Sequence, residues 1–481
     1  MTRSTSAAPL ARLAAPPVGP RVHGDPALAG RGVAMAFVDA GFRAHPDLAA
    51  PRGRRLRYVD VTGGPPDLPS TGDAGPDAWH GTQTAVVAAG AGALSGPAYR
   101  GLASEANLLL VKVGRDGRVR DDDLVRGVRR VVELREELGI RVLNLSVGGD
   151  RDETADRSAV VRAVEDAVAA GITVVAAAGN AGCGPRPRVT PPASAPSAVT
   201  VGGVVDAVRP DAPPVAYCSS YGPSLDGLVK PEVVAPAARV AAPILPGTAL
   251  WRRADVLADL DAAPDYLLAA VVRARGREAG LDVDPDADVD VLRAAVVTAA
   301  RALKLVGRRH QHVDGTSFAA PIVAAVVAQM LELDPALEPA EIKRVLMATA
   351  RHVPTVAVRR QGFGAVDARR ALERVRRGAR TLRPEHFLPP RPVDGRVRFH
   401  LHDPGATDVR VAGPFNGWSA TATPLRRDAA GVWTATVEIG GAAARLPYKF
   451  LVDGAWRGDP SNPRSEDDGL GGENAVAELA P

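Results

Sequence analysis

Cysteine, histidine and aromatic residues are all scarce in this chain: two Cys, nine His and 4% Phe, Trp and Tyr among 481 residues. Two cysteines, Cys183 and Cys218, cannot build a disulfide framework. They could pair, but two free thiols in a reducing compartment is the simpler expectation. Residues 1–28 are rich in Ala, Pro and Arg and contain no apolar core of the kind a signal peptide needs, so a cytoplasmic protein is expected, with export left open. No run reads as long and apolar enough to span a membrane. The formal charge is only +4 although the sequence pI is near 9.2. The basic residues are nearly all Arg, and they form no dense stripe, so nucleic acid is not an expected partner. Their richest cluster, Arg369–Arg383, reads as a solvated helix face.

What is present begins with size, since 481 residues allow two or more domains with a sizeable core. Short apolar runs at 32–38, 108–113, 142–147, 173–178 and 199–205 read as buried strands. Helical periodicity near 121–138 and 156–170 alternates with them. Such alternation predicts an α/β fold with a doubly wound parallel sheet and right-handed crossovers. The composition changes after Ala379. Leu382–Pro392 is a Pro- and Arg-rich linker, and strand signals then recur at short intervals: 397–402, 408–412, 432–439, 446–452 and 475–479. This segment is expected to be an all-β, immunoglobulin-like sandwich.

The stretch Val313-Asp-Gly-Thr-Ser-Phe-Ala-Ala-Pro321 places Ser317 where a tight turn enters a buried helix, with Pro321 in the first turn, where a missing N–H costs little. A serine there is either an N-cap or a nucleophile whose neighbouring N–H groups stabilise an anion. Asp39 follows the first strand, His80 opens a small-residue helix, and Asn180 follows the fourth strand. In an open α/β sheet these positions converge on one edge. Together they supply a nucleophile (Ser317), its base (His80), a group that holds the imidazole tautomer (Asp39) and an oxyanion donor (Asn180). Singly, each has a plainer reading as a cap or a structural residue.

Five ordered motifs carry a resemblance to the subtilisin-like serine peptidases over residues 30–375: FVDAGFRAHPDL, HGTQTAVVAAG, LNLSVGG, VVAAAGNAG and DGTSFAAPIVAA. The resemblance implies serine endopeptidase activity with Asp39, His80 and Ser317 as the triad and Asn180 in the oxyanion hole. It also implies that Ser146, Val147 and Gly148, with Ala178 and Gly179, bind substrate backbone and wall the primary pocket. These walls are small and uncharged, which favours uncharged side chains. Two positions depart from the family pattern. Ala40 stands where a Ser or Thr usually follows the catalytic Asp, and Gln83 where a second His is common. Both act on the reacting groups only through others, so activity is expected to be tuned, by less than the roughly 10²–10³ that one oxyanion donor is worth in subtilisin. A catalytically impaired pseudopeptidase that serves as a glucan- or protein-binding scaffold is the alternative.

Polypeptides are the expected substrates, and no cofactor is expected. Structural Ca²⁺, common in the family, is poorly supported: Asp47 lies in the matching HPDL, but the loop after the His80 helix has no evident Asn or Asp ligand. An insertion near 245–311 reads as a helical subdomain, with helices at 251–275 and 289–305. Its Asp282–Asp290 mimics an EF-hand loop but lacks the Gly and Glu, and reads as a solvated connector. His310 and His312 read as a flanking loop rather than a metal pair.

Three of the five tryptophans, Trp418, Trp433 and Trp456, lie in the C-terminal segment. There VAGPFNGW, GVWTATVEI, YKFLVDGAW, DPSNP and GGEN resemble the glycogen-binding modules of AMP-activated protein kinase beta subunits and of branching and isoamylase-type enzymes. The resemblance implies that Trp418 and Trp456 stack on sugars and that Lys449 and Asn474 hydrogen-bond hydroxyls, making an α-glucan a second partner; Trp433 is expected in the core. The implied organisation is an N-terminal extension (1–29), a peptidase domain (30–378), a linker (379–395) and a glucan-binding sandwich (396–481).

Overall fold

The computed structural model describes residues 15–49, 51, 53–70, 78–149, 151–206, 213–439 and 444–479, with Arg380 lacking a described side chain. Residues 1–14 of the N-terminal extension expected at 1–29 therefore lie outside the described residues.

Seven parallel strands form the central sheet: β1 (Ala34–Asp39), β2 (Leu56–Asp60), β3 (Asn107–Lys112), β4 (Ile140–Leu145), β5 (Thr173–Ala177), β6 (Val199–Val205) and β7 (Val233–Pro236). Their spatial order is β7-β6-β5-β4-β1-β3-β2, and the short strand Val215–Ala216 adds antiparallel to β6. Alternation along each strand sends side chains to opposite faces. Ala34, Ala36 and Val38 of β1 join the core beneath α2 (Asp121–Glu133) and α3 (Ala159–Ala169). Met35 and Phe37 join the opposite core with α1 (Ala78–Ala89) and the long helix Thr316–Leu333. Asp39 shares the parity of Met35 and Phe37. It therefore points toward the helices that begin with His80 and Ser317, and that parity is what builds the site.

The expected strands are present with ends shifted by a residue or two. Two further strands, β2 and β7, were not expected: Arg57 interrupts the apolar run in LRYVD, and VVAP is only four residues long.

After β7 come β8 (Val240–Pro243) and, beyond the insertion, β9 (His310–Val313), which pair antiparallel with Pro243 opposite His310. The insertion between them is three helices, α4 (Ala249–Ala262), α5 (Asp265–Ala279) and α6 (Val289–Ala302), around their own apolar core. Pro264 splits the single helix expected at 251–275, because a helix avoids the residue before a proline. Thr248 and Asp288 cap the N-termini of α4 and α6, and Gly280 ends α5 in the left-handed region. Asp284 and Asp288 serve turns in the acidic connector rather than a metal. His310 and His312 lie on β9, not in a loop.

Helix α7 (Thr316–Leu333) is followed by α8 (Pro339–Thr349) and α9 (Ala368–Arg377). In length and hydropathy α7 could cross a membrane, contrary to the expectation that no run could. It is the buried core helix of the domain, enclosed between α1 and the sheet.

The C-terminal body packs two antiparallel sheets. One contains β10 (Arg396–His402) and β12 (Val432–Glu438); the other contains β11 (Val409–Ala412), β13 (Arg445–Val452), β14 (Ala455–Arg457) and β15 (Glu473–Glu478). Phe399, Tyr448 and Phe450 fill the space between the sheets, and Trp433 joins them with its indole N–H donating to Asp403 O at 3.1 Å. Phe387 of the linker stacks on His402 of the sandwich and meets Phe363 of the other domain, ring centroids 4.5 and 5.8 Å away. Hence the linker is packed against both bodies.

Candidate active site and sandwich surface

The carboxyl end of β1 delivers Asp39, fully buried, to the first turn of α1. Its Oδ1 is 2.6 Å from His80 Nδ1 and accepts the Ala40 N–H at 2.7 Å. The other carboxylate oxygen accepts the hydroxyl of Thr84 at 3.1 Å. Ala40 offers no side-chain donor, and Thr84, one helical turn beyond His80, fills that role. Sequence reading missed Thr84, although its i, i+4 spacing from His80 on one helix face was available as a signal. Gly81 is required between them, since a Cβ there would sit 2.4 Å from Gly41 O and 2.8 Å from the Asp39 Cβ. Gln83 is wholly buried and donates to Pro243 O at 2.8 Å, so it ties α1 to β8 rather than facing the carboxylate.

Ser317 is the second residue of α7. Gly315, with φ at 142°, makes the turn into the helix, and a Cβ on it would lie 3.1 Å from Ser317 Oγ and 3.7 Å from Asn180 Nδ2. Glycine is thus required twice over, by conformation and by space. The Asn180 amide is oriented unambiguously. Its Oδ1 accepts the Thr316 N–H at 3.0 Å and lies 3.2 Å from the Thr316 hydroxyl; a backbone N–H can only donate, so Nδ2 is the end turned toward Ser317. Thr316 is a second residue that sequence reading passed over, because a Thr beside a turn has no distinguishing pattern. Its hydroxyl also accepts from Gly179 N at 3.1 Å, locking the β5 exit loop to the start of α7.

Pro321 corrects the first-turn expectation. It is the sixth residue of α7, so the N–H it lacks would have bonded the Ser317 carbonyl. That freed carbonyl instead accepts the Ser146 hydroxyl at 2.9 Å, and Ser146 in turn accepts from Asn144 Nδ2 at 2.9 Å. In this way the extended segment after β4 is fastened to the nucleophile turn. Val147 is half-buried and Gly148 exposed beyond it, while Ala178 is buried and Gly179 half-buried on the facing segment. The His80 ring stands beside Phe318, centroids 5.8 Å apart, and edge-on to Trp79 at 5.2 Å. Asp39, His80, Asn180 and Ser317 are thereby gathered at one edge of the sheet.

Cys183 and Cys218 form a disulfide with Cα atoms 5.1 Å apart, correcting the expectation of two thiols. Thirty-five residues separate them in sequence, which hides that the two loops run side by side, with Gly182 N donating to Cys218 O at 2.9 Å. The bridge borders the Asn180 loop.

The residues around Asp47 do not fit a calcium ion. Its carboxylate is engaged by Ala93 N–H, with those of Gly92 and Leu94 alongside. The Arg54 guanidinium donates to the carbonyls of Asp47 (3.2 Å), Leu48 (3.3 Å), Ala89 (2.7 Å) and Ser104, so a fixed cation already gathers the oxygens of this loop. Burial holds its pKa down at about 10. Among the described residues no group of three His, Cys, Asp or Glu side chains could hold a metal.

In the sandwich, Lys449 and Trp456 point away from the core on the second sheet: Lys449 alternates with inward Tyr448 and Phe450, and Trp456 sits opposite Leu451. Asn474 of β15 precedes inward Ala475 and so shares their face. Trp456 is 48% exposed. Lys449 Nζ lies 2.6 Å from Asp468, which that contact and the N–H groups of Leu470 and Gly472 hold at a pKa of about 2. Trp418, 37% exposed, occupies the left-handed region at φ 60° on the turn after β11, apart from the residues that line the cleft at Trp456.

If the Thr84 hydroxyl steadies Asp39 and through it the His80 ring, Thr84→Val will lower kcat for a peptide substrate roughly tenfold, the worth of one hydrogen bond to a charged group. KM will stay unchanged, and Thr84→Ser will restore the rate. Steady-state kinetics of the three forms checks this.

Comparisons with known proteins agree with these two bodies. A profile described as the subtilase family matches residues 30–364, and one described as carbohydrate-binding module 48 (isoamylase N-terminal domain) matches residues 386–467. The chain is similar to the serine protease AprX of Bacillus subtilis (strain 168), 31% identical over 327 residues, or 66% of this chain and 61% of that one. It is also 31% identical over 180 residues to the major intracellular serine protease of the same organism, covering 36% of this chain and 52% of the relative. It thus spans less than two thirds of each relative's length. Among solved structures, fervidolysin from Fervidobacterium pennivorans aligns over 88% of this chain and 53% of its own, with 19% identity and a TM-score of 0.48.

Proposed function

Since the chain belongs to the subtilase family and carries a carbohydrate-binding module, we propose that it is a serine endopeptidase directed to its substrates by an α-glucan. The observation that carries the catalytic half is the arrangement around Gly315: Ser317 Oγ on one side, the Asn180 amide on the other, with His80 held by Asp39 at 2.6 Å.

The chemistry follows from those atoms. Ser317 Oγ attacks the carbonyl carbon of the scissile peptide bond while His80 Nε2 takes its proton. Asp39 holds Nδ1–H and balances the imidazolium charge. Negative charge collects on the carbonyl oxygen, where Asn180 Nδ2 and the Ser317 N–H at the start of α7 donate to it. Collapse expels the amine, which receives the proton from His80. Water then repeats the sequence on the acyl-enzyme and regenerates Ser317. The segments Ser146–Gly148 and Ala178–Gly179 follow the ends of β4 and β5 and flank this point, which suits them to bind the substrate backbone.

A non-catalytic scaffold is the second class to weigh, and its support was Ala40 and Gln83. Thr84 supplies the hydroxyl that Ala40 lacks, and Gln83 is engaged elsewhere, so neither departure removes a reacting group. A fluorophosphonate probe separates the two readings. The folded chain is expected to be labelled once, on the peptide containing Ser317. No labelling of folded protein would sink the enzyme.

The glucan half rests on Trp456, an exposed indole beside polar side chains, the combination that binds a sugar's apolar face and its hydroxyls together. Binding would raise the local concentration of enzyme at the polysaccharide and at proteins attached to it. Trp418 is assigned to the same partner at a separate contact.

A further inference from the structure

We propose that the α-glucan site is completed by the peptidase domain, so that a bound chain lies between the two bodies rather than on the sandwich alone. This rests on the glucan reading of the module and goes beyond it.

Trp456, though 48% exposed, and Lys449 do not stand on an isolated face of the sandwich. They form one wall of a cleft of about 600 Å³ whose other wall is the segment 352–359 of the peptidase domain, between α8 and α9. Thr355 and Arg359 lie on that wall. Arg359 spans the gap and pairs with Glu473, the neighbour of Asn474, so the two walls meet in an exposed ion pair. Its guanidinium also lies 5.7 Å from the ring of Tyr221, on the peptidase side.

The chemistry of the lining suits a neutral polyol better than an ion or an apolar ligand. An indole offers a flat apolar surface, and Lys449 and Arg359 share the lining with the carboxylates of Glu466, Asp467 and Glu473, Lys449 pairing with Asp468 and Arg359 with Glu473. Each pair presents donors and acceptors side by side with no net charge, as successive sugar hydroxyls require. Anions would meet Glu466, Asp467 and Glu473, and cations would meet Lys449 and Arg359. The cleft is roomy enough for several sugar units by the measure of ordinary ligand sites, which run from about 300 to 1,000 Å³. Arg359 is the residue to test. It is half-exposed, belongs to no part of the proposed catalytic machinery, and reaches the ligand only if both walls take part.

The experiment uses the full chain and maltoheptaose. Amide hydrogen exchange is expected to show protection over two regions on binding, one around 449–474 and one around 352–360. Arg359→Ala should raise the dissociation constant about tenfold, the loss of a charged donor to a hydroxyl, while Trp456→Ala should abolish binding. Protection confined to the sandwich, with Arg359→Ala binding as tightly as wild type, would overturn the two-walled site and leave the glucan reading standing. A wild-type chain that does not bind maltoheptaose at millimolar concentration would overturn both.

Discussion

Ser317→Ala is expected to lower kcat for peptide hydrolysis by on the order of 10⁶, a magnitude known for the nucleophile of subtilisin, a member of the same family, and carried over from it. The informative part is what the other substitutions add. His80→Ala should cost about as much alone, and the Ser317→Ala/His80→Ala double variant should be no worse than either single one. A base without its nucleophile has no proton to take, so the two residues act as a unit rather than as separable contributions. Asn180 stands outside that unit. Its amide is held by Thr316, not by His80, so Asn180→Ala should lose roughly 10²–10³ in the wild-type background. Progress curves with a chromogenic peptide, normalised to folded protein, test the series. A Ser317→Ala variant retaining activity within tenfold of wild type would end the assignment.

Acid should unfold this chain well above the range where carboxylates titrate, and histidines are the cause. His45, His310 and His402 are almost wholly buried, and each has a ring nitrogen without a hydrogen-bond partner; His352 is partly covered and has one as well. Burial holds the first two and His352 down at about 4 and His402 at about 3. Asp47 Oδ2, 3.7 Å from His45, does not offset this, because burial pushes its own carboxyl up.

The sign is therefore that of groups neutral when folded and protonated more readily when unfolded. Their contribution is complete above the unfolded value of about 6.5 and is lost as pH falls toward 4. A drop from 6.5 to 4 is about 2.5 units, or on the order of 3 kcal/mol for each group at 1.36 kcal/mol per unit. Four such groups together rival the 5–15 kcal/mol stability of an ordinary domain. Urea unfolding of the Ser317→Ala form, which cannot digest itself, should show the midpoint falling steeply between pH 6.5 and 4.5. His310→Phe should flatten the slope by about one proton, with the new ring kept beside Tyr99, whose centroid is 4.9 Å from that of His310. A midpoint constant over this pH range would contradict the account.

The parts of this protein legible from sequence are those where one short segment carries its own signal. An apolar run ending in Asp39, or in Gly179-Asn180, announces both a strand and what stands at its end. Periodicity did the same for α2 and α3, and the spacing of five motifs carried the family. What escaped depends on partners brought together by folding. Thr84 shares a helix face with His80 in the sequence, but its carboxylate partner is fixed only once Asp39 faces α1, and Thr316 gains a role only once the β5 exit loop lies against α7. The disulfide needed two loops 35 residues apart to run side by side. Similarly, Arg359 reads as one more surface arginine until the sandwich is placed opposite it. Local rules also misread Pro321, because its effect falls on the carbonyl four residues earlier and its compensation comes from Ser146.

The ladder of β8 and β9 has a meaning for how such a chain can grow. Pro243 and His310 face each other in register, so everything between them leaves and re-enters the domain through a single doorway. Sixty-odd residues could be added or removed there without rerouting the sheet, much as a side chapel leaves the nave unchanged. Yet the doorway opens seven residues before Ser317. A module exchanged at this point would hang one strand away from the Ser317 turn, which makes it the natural place to graft a sensor onto this domain.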